Sequence, residues 1–441
     1  MIKKYFGTDG VRGRFSEFPI TKSFIFSLAL ALGESDKNVK KVLIGRDTRI
    51  SGKKIEEFLC AGFKKLEIKC DFIGIVSTPM ISFYTKKLKY DFGIMISASH
   101  NPYFDNGIKI FKKNGEKLED EEELDIEKKI DKNLVESVDL KKVNEKTISF
   151  HEYENFLTEK FNNLMSSDLK VFVDCANGSL YKFAPHFLKK IGVKVTSYAT
   201  KPNGININDR CGAMYPSNLS KLTLKNKADI GISFDGDADR VIVSDEQGNI
   251  LDGDILMAVI CSYEKRKKGL IKSVVTTKMS NLSFREYISS LGIEVHLSDV
   301  GDRNVIKKMK DTKTSIGGEP SGHLVFSDNG YCGDGLLTSL YLISILLETG
   351  KKVSYFYEHL FLKNSQHLVN LKTKKCPQQI LDDSKLVTLK RKVISKYPNV
   401  DFLLRKSGTE NLLRVMVQSK DEVVMNKVLD SFINLIKDID E

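Results

Sequence analysis

Residues 90–109, YDFGIMISASHNPYFDNGIK, decide how the chain is read. A short apolar run over 92–96, flanked by turn formers, predicts a buried strand. It runs straight into Ser97-Ala98-Ser99-His100-Asn101-Pro102. Pro102 pushes Asn101 out of helical angles, so no helix closes there. Ser99 is thereby expected at the carboxyl end of a buried parallel strand, where open α/β sheets hold ligands. His100 stands beside it, and Lys109 follows behind Asp105-Asn106-Gly107. A nucleophilic hydroxyl needs a proton acceptor or a group that stabilises its oxyanion. On these residues alone, a polar turn with no chemistry explains the stretch equally well.

A second loop, Phe234-Asp235-Gly236-Asp237-Ala238-Asp239-Arg240, changes the balance. It follows another short apolar run over 230–234, again read as a strand. Asp235, Asp237 and Asp239 alternate on one tight turn and repel each other unless a cation sits among them. Mg²⁺ favours a few carboxylates completed by a phosphate oxygen. A calcium loop of the EF-hand type needs a glutamate at loop position 12 and a flanking helix. Counting from Asp235, that position is Glu246, behind the strand-like VIVSD of residues 241–245, so Mg²⁺ is favoured over Ca²⁺.

Outward from these loops, the chain divides into four units at 1–150, 151–252, 253–366 and 367–441. In the first, strands at 42–44 and 71–76 alternate with helices at 55–66 and 79–87, an order that argues a parallel sheet. The charged stretch 119–132 is expected as a solvent-facing helix able to bridge domains. The second unit has strands at 169–173 and 193–198, a helix at 219–225 and a hairpin turn at 245–249. The third has strands at 274–277, 294–297 and 314–317 among helices at 254–267, 284–291, 304–310, 333–347 and 351–364. The last has strands at 368–371, 402–404 and 415–418 with helices at 382–396 and 422–437, an α+β order.

At 441 residues, 41% apolar and 29% charged, the composition is that of a globular protein. There is no apolar run of transmembrane length and no signal-peptide core, so no membrane role is expected and the cytoplasm is the default. Seven scattered cysteines, none in a C-x-x-C pair, argue against a zinc site or a disulfide framework. The net charge of +11 comes from lysines interleaved with acids, with no nucleic-acid motif. A basic field of this kind favours an anionic small substrate over nucleic acid.

The serine loop, the aspartate loop, Gly317-Gly318-Glu319-Pro320-Ser321-Gly322-His323 and Arg405-Lys406-Ser407-Gly408-Thr409-Glu410 together resemble one family, the α-D-phosphohexomutases. Residues 5–13, YFGTDGVRG, and 45–49, GRDTR, look like it too, and the motifs keep the family's order. The resemblance implies three similar mixed-sheet α/β domains plus a smaller C-terminal α+β domain around a central cleft. It implies a phosphoserine at Ser99 and one Mg²⁺ held by its phosphate with Asp235, Asp237 and Asp239. Arg12 and Lys109 are expected as cations around that phosphate. Lys109 qualifies as a base only if its pKa is depressed. His100 and His323 are alternative proton carriers, and His100 reads equally as a loop-orienting residue. Glu319 and Ser321, with His323, are expected to meet sugar hydroxyls. Arg405, Ser407, Gly408, Thr409 and Arg414 make a phosphate clamp, in which Lys406 and Asn411 stand where the family commonly has prolines.

Three further stretches point to one branch: Asn206-Ile207-Asn208 with Cys211-Gly212, Met279-Ser280-Asn281-Leu282, and Val300-Gly301-Asp302-Arg303. They resemble the enzymes that interconvert glucosamine 6-phosphate and glucosamine 1-phosphate on the way to UDP-N-acetylglucosamine. Ser280 and Asn281 are then expected to help orient the C2 amine beside Glu319, and 363–367 to form a hinge. The alternatives are the glucose and mannose phosphate mutases, or a Mg²⁺-dependent phosphosugar phosphatase. The oligomeric state is left open, a homodimer included.

Overall fold

Short apolar runs become the central strands of four sheets. The computed structural model describes residues 3–132, 150–161, 164, 168–269, 271–406 and 412–441. Ser407, Gly408 and Thr409 of the expected clamp lie outside them.

The first unit contains β1 (Val11–Arg14), α1 (Lys22–Gly33), β2 (Lys41–Arg46), α2 (Gly52–Lys65), β3 (Lys69–Ile75), α3 (Thr78–Lys87), β4 (Phe92–Ile96), β5 (Asp105–Lys112) and α4 (Asp120–Lys132). The sheet order is β1-β5-β4-β2-β3. β2 runs parallel to β3 and β4, whereas β5 is antiparallel to β4 and β1. The sheet is therefore mixed rather than purely parallel. Only residues 97–104 join β4 to β5, and a parallel neighbour needs a crossover of about a dozen residues or more. This turn back places Lys109 in the middle of a buried strand. The helix α4 also departs from a purely solvent-facing element. Ile126 and Ile130, one turn apart, are buried where α4 packs on α1. Its acidic first turn does bridge units, since Arg303 donates to Asp120 at 2.7 Å and to Glu123 at 2.6 Å.

The second unit follows the same plan with α5 (His151–Lys160), β6 (Lys170–Asp174), α6 (Phe183–Lys190), β7 (Lys194–Tyr198), α7 (Pro216–Lys225), β8 (Ile230–Phe234), β9 (Val241–Asp245) and β10 (Ile250–Leu251). Its order is β10-β9-β8-β6-β7, with the aspartate loop turning β8 back into antiparallel β9. The third unit has α8 (Gly253–Lys268), β11 (Ser273–Thr277), α9 (Leu282–Ser290), β12 (Glu294–Ser298), α10 (Asp302–Thr312), β13 (Ile316–Gly318), β14 (Leu324–Phe326), α11 (Gly335–Thr349) and α12 (Val353–His359). Its order is β12-β11-β13-β14, and residues 319–323 turn β13 into antiparallel β14. The serine, aspartate and glutamate loops thus occupy the same topological position in three successive sheets. Each leaves the edge of a parallel set, where strand ends are free of crossovers.

The last unit is smaller, with β15 (Ser365–Lys372), α13 (Pro377–Leu381), α14 (Ser384–Lys396), β16 (Val400–Lys406), β17 (Leu412–Ser419) and α15 (Glu422–Asp440). All its pairings are antiparallel, in the order β15-β17-β16. Leu413, Val415 and Val417 alternate onto the face covered by Leu429 and Phe432 of α15. Among the described residues no helix is long and apolar enough to cross a membrane.

The third and fourth units meet through buried polar groups. The Asn281 amide donates to Asn364 O at 3.0 Å and accepts from Asn364 N–H at 3.1 Å. These bonds hold the linker, so α12 ends at His359 instead of continuing through the expected 351–364. Asp254, fully buried, accepts from Asn281 N–H at 2.7 Å. Burial first, then Asp252, push its carboxyl up to about 7, against the pull of Lys363. The neutral acid is therefore the favoured folded form. Its contribution to stability is complete below the ordinary value near 3.8 and is lost as pH rises toward about 7. Asp254→Asn keeps the acceptor and removes the charge. Its melting temperature is expected to match the wild type near pH 4 and to exceed it by a few degrees above pH 7, at about 2–4 °C per kcal/mol. A gain independent of pH would show that the carboxyl does not titrate in this window.

Candidate active site

Ser99 caps β4 in left-handed backbone geometry, φ 54°, and is buried. Such a conformation costs a non-glycine residue roughly 1–2 kcal/mol, so the surroundings must hold it. Ser97 Oγ accepts from Ser99 N–H at 2.9 Å and itself donates to Asp47 at 2.7 Å. Arg49, fully buried and paired with Asp47 at 2.8 Å, donates to the carbonyls of Ser99, Asn101, Pro102 and Asp105. The turn is thus wound around one guanidinium. Ser99 Oγ donates to Asp235 Oδ2 at 2.6 Å and lies 3.2 Å from His100 Nδ1. Burial, then Arg240 and Arg12, push His100 down to about 4, so its ring stands neutral.

Asp235, Asp237 and Asp239 offer carboxylate oxygens that all lie within 4.8 Å of one another, and all three residues are buried. Lys109 Nζ reaches Asp237 at 2.7 Å, Asp239 at 2.9 Å and Asp9 at 2.8 Å. Burial opposes its charge, but these carboxylates outweigh it and hold the ammonium well above its ordinary value. In this arrangement Lys109 is a cation, not a base. Burial likewise acts against Asp239, yet Lys109, His323 and Arg240 hold it at about 2. Asp235 differs: burial, with Asp239 and Asp237 beside it, raises its carboxyl well above the ordinary range. Asp237 Oδ1 and Asp239 Oδ1 are buried without a hydrogen-bond partner. Two orphaned oxygens beside a third carboxylate make a donor set of the hard, all-oxygen kind, which fits a divalent cation such as Mg²⁺. Thr78 donates to Asp237, and Arg12 pairs with Asp9.

The glutamate loop comes against the same place. Gly322 O accepts from Val241 N–H at 3.1 Å, tying the loop to the strand that leaves the aspartates. Gly301 N–H donates to one oxygen of Glu319 at 2.9 Å. Ser321 Oγ and His323 Nδ1 are buried without partners, and His323 Nε2 lies 3.9 Å from Asp302. In the last unit Arg405 and Arg414 are register partners on β16 and β17. Like charges directly opposite on neighbouring strands repel unless an anion lies between them. Both Nε atoms are buried without a partner. Burial, then Arg414, lower the pKa of Arg405, against the pull of Glu319.

The structure therefore brings Ser99, His100, Lys109, Arg12 and the aspartates together, and sets Glu319, Ser321 and His323 beside them. It removes Ser280 and Asn281 from the sugar. Both are buried, Ser280 Oγ is bonded to Thr276, and both ends of the Asn281 amide are engaged at the linker. Asp9, Arg49, Asn208 and Arg240 stood in quoted motifs without an assigned role. Thr78 carried no signal, because a threonine before a proline reads only as a helix start.

Models of the phosphoglucomutase/phosphomannomutase family match in order: α/β/α domain I over residues 3–136, domain II over 151–248, domain III over 252–363 and the C-terminal domain over 369–435. A phosphoglucosamine mutase of Zymomonas mobilis is 38% identical over 445 residues, 99% of each chain. One of Campylobacter jejuni is 39% identical, over 98% of this chain and 99% of that protein. Among solved structures, a phosphoglucomutase/phosphomannomutase family protein of Burkholderia thailandensis superposes with a TM-score of 0.81 at 21% identity, covering 99% of this chain and 98% of that one. An Aspergillus fumigatus N-acetylphosphoglucosamine mutase, solved with GlcNAc-6P and magnesium, shares the fold with a TM-score of 0.72 at 17% identity, covering 100% of this chain and 96% of that one. The chain belongs to the phosphoglucomutase/phosphomannomutase family, the α-D-phosphohexomutases, and these relatives, alike from end to end, are phosphoglucosamine mutases.

Proposed function

We propose that this chain interconverts glucosamine 6-phosphate and glucosamine 1-phosphate in the cytoplasm, by a phosphoryl relay through Ser99, and so feeds UDP-N-acetylglucosamine synthesis. The observation that carries the reading is Ser99 Oγ, 2.6 Å from a carboxylate of the buried aspartate triad. Four units, at 1–150, 151–252, 253–366 and 367–441, each contribute one loop. Ser99, once phosphorylated, hands its phosphoryl to the free hydroxyl of the sugar monophosphate, the bisphosphate turns over, and the other phosphoryl returns to Ser99. Asp235, Asp237 and Asp239 would hold Mg²⁺, which supplies charge neutralisation at the phosphoryl group and at the departing serine oxygen. Lys109 and Arg12 add fixed positive charge there. His100, neutral and against Ser99 Oγ, can take up a hydroxyl proton.

Arg405 and Arg414, with Ser407, Gly408 and Thr409, grip the phosphate that is not reacting. A fixed clamp at one end and a fixed reaction centre at the other serve both orientations of the sugar. Gly301 occupies one oxygen of Glu319 and leaves the other for the sugar. A charge-assisted hydrogen bond from a C2 ammonium to that oxygen is worth roughly 1.5–3 kcal/mol, about ten- to a hundredfold. Glucosamine 6-phosphate is therefore expected to exceed glucose 6-phosphate in kcat/KM by at least about tenfold. Glu319→Gln should narrow the gap by slowing the amino sugar more. Initial rates on glucosamine, glucose and mannose 6-phosphates, with free phosphate followed in parallel, test the reading. Equal or reversed preference would move the chain to the glucose and mannose branch, and accumulating free phosphate without isomer would make it a phosphatase.

A further inference from the structure

We infer that Asn208 is a positioning residue that locks the Ser99 loop onto the aspartate loop; this rests on reading Ser99 as the phosphoryl carrier. Asn208 belongs to the second unit, yet its Nδ2 donates to Ser99 O at 2.9 Å and to Asn101 O at 3.1 Å. Arg49, from the first unit, grips the same two carbonyls at 2.9 and 2.8 Å. The serine turn is therefore held from both units at once. The Asn208 side is anchored to the metal-loop strand: Asn208 N–H donates to Ala176 O at 2.9 Å, and Ala213 N–H to Phe234 O at 2.9 Å, the residue before Asp235. A Cβ on Gly236, between Asp235 and Asp237, would stand 2.6 Å from Ser99 O and 3.0 Å from Asn208 Nδ2. The three loops thus meet at a point with room only for glycine. Asn208 itself is buried with φ 58°, a left-handed conformation that asparagine, aspartate and glycine tolerate.

The consequence is a fixed distance between Ser99 Oγ and Asp235. Phosphoryl transfer is almost entirely positioning and electrostatics, so a loosened serine turn costs turnover rather than sugar binding. Two substitutions keep the backbone comfortable. Asn208→Gly removes the amide at a φ that glycine favours, and Asn208→Asp keeps the shape but turns a donor into an acceptor facing two carbonyls. For both, kcat is expected to fall about ten- to a hundredfold, as for a loss of alignment. KM for the sugar phosphate should move less than about threefold, because the clamp and Glu319 are untouched. The phosphoserine of the purified variants, followed by intact mass in buffer, should disappear faster than in the wild type. Wild-type kcat and wild-type phosphoserine lifetime in both variants would overturn the proposal alone, as would a change confined to KM. Failure of both variants to fold would make Asn208 merely structural and overturn it too. A wild type that carries no phosphoserine overturns the reading of Ser99, and this proposal with it.

Discussion

Ser99→Ala is expected to lower turnover on the order of 10⁴-fold or more while leaving the fold intact. The loss is large because the hydroxyl is the only group in the proposed relay that changes covalent partners. The fold survives for three reasons. Alanine pays about the same left-handed backbone cost as serine at φ 54°. The bonds that hold the turn go to the Ser99 backbone, from Arg49 and Asn208 and to Ser97, and none needs the side chain. The one side-chain bond lost ends on Asp235, whose carboxyl burial already holds in the neutral-favouring range, so no charge is stranded. A coupled assay and a melting curve measure the two halves. Intact mass should show a wild-type fraction heavier by one phosphate and no such fraction in the variant. Full activity in Ser99→Ala would remove the serine from the mechanism.

The strands that carry chemistry were legible because they are short, buried and bounded by turn formers. Phe92–Ile96 and Ile230–Phe234 stand as the apolar runs indicate. Asp105–Lys112 was not, because its first residues, Asp-Asn-Gly, carry turn chemistry that tertiary pairing with β1 and β4 overrides. Fold class and family followed from ordered motifs. The branch-marking stretches were legible as motifs but not as contacts. Asn208 lies between the first two units, Asn281 between the last two, and Arg303 reaches the first unit from the third. Residues that act across units have no local periodicity or spacing to reveal them. Their partners lie far away in sequence, and a single chain without its fold shows only their types. Hence Asn281 read as a sugar ligand, although its amide is spent on the linker.

The aspartate loop shows the same limit in its energetics, and Asp235→Asn against Asp237→Asn is the experiment that separates the terms. From spacing alone, removing any one carboxylate relieves repulsion and spares stability. The structure places a fully buried lysine from another unit among them. Asp237 and Asp239 each pair with Lys109 Nζ, at 2.7 and 2.9 Å, while Asp235 meets only Ser99 Oγ–H and the Arg240 N–H at 3.2 Å. Relief of repulsion therefore applies to Asp235. Asp237→Asn instead withdraws a counter-charge from a buried ammonium, a change that costs about 3–5 kcal/mol when no other partner remains and less here, where Asp239 and Asp9 stay. Asp235→Asn is expected to melt within a few degrees of the wild type, Asp237→Asn clearly lower. Both should lose about 10²–10³ in turnover, the scale of removing one preorganised electrostatic group. Mg²⁺ should raise the melting temperature of the wild type and not of Asp235→Asn, since a ligand that binds only the folded state stabilises it by mass action. Chelator-treated wild type should stall and recover when Mg²⁺ is returned. A chelated enzyme at full rate would remove the metal from the proposal, and equal melting temperatures for the two variants would remove Lys109 as the partner that makes them differ.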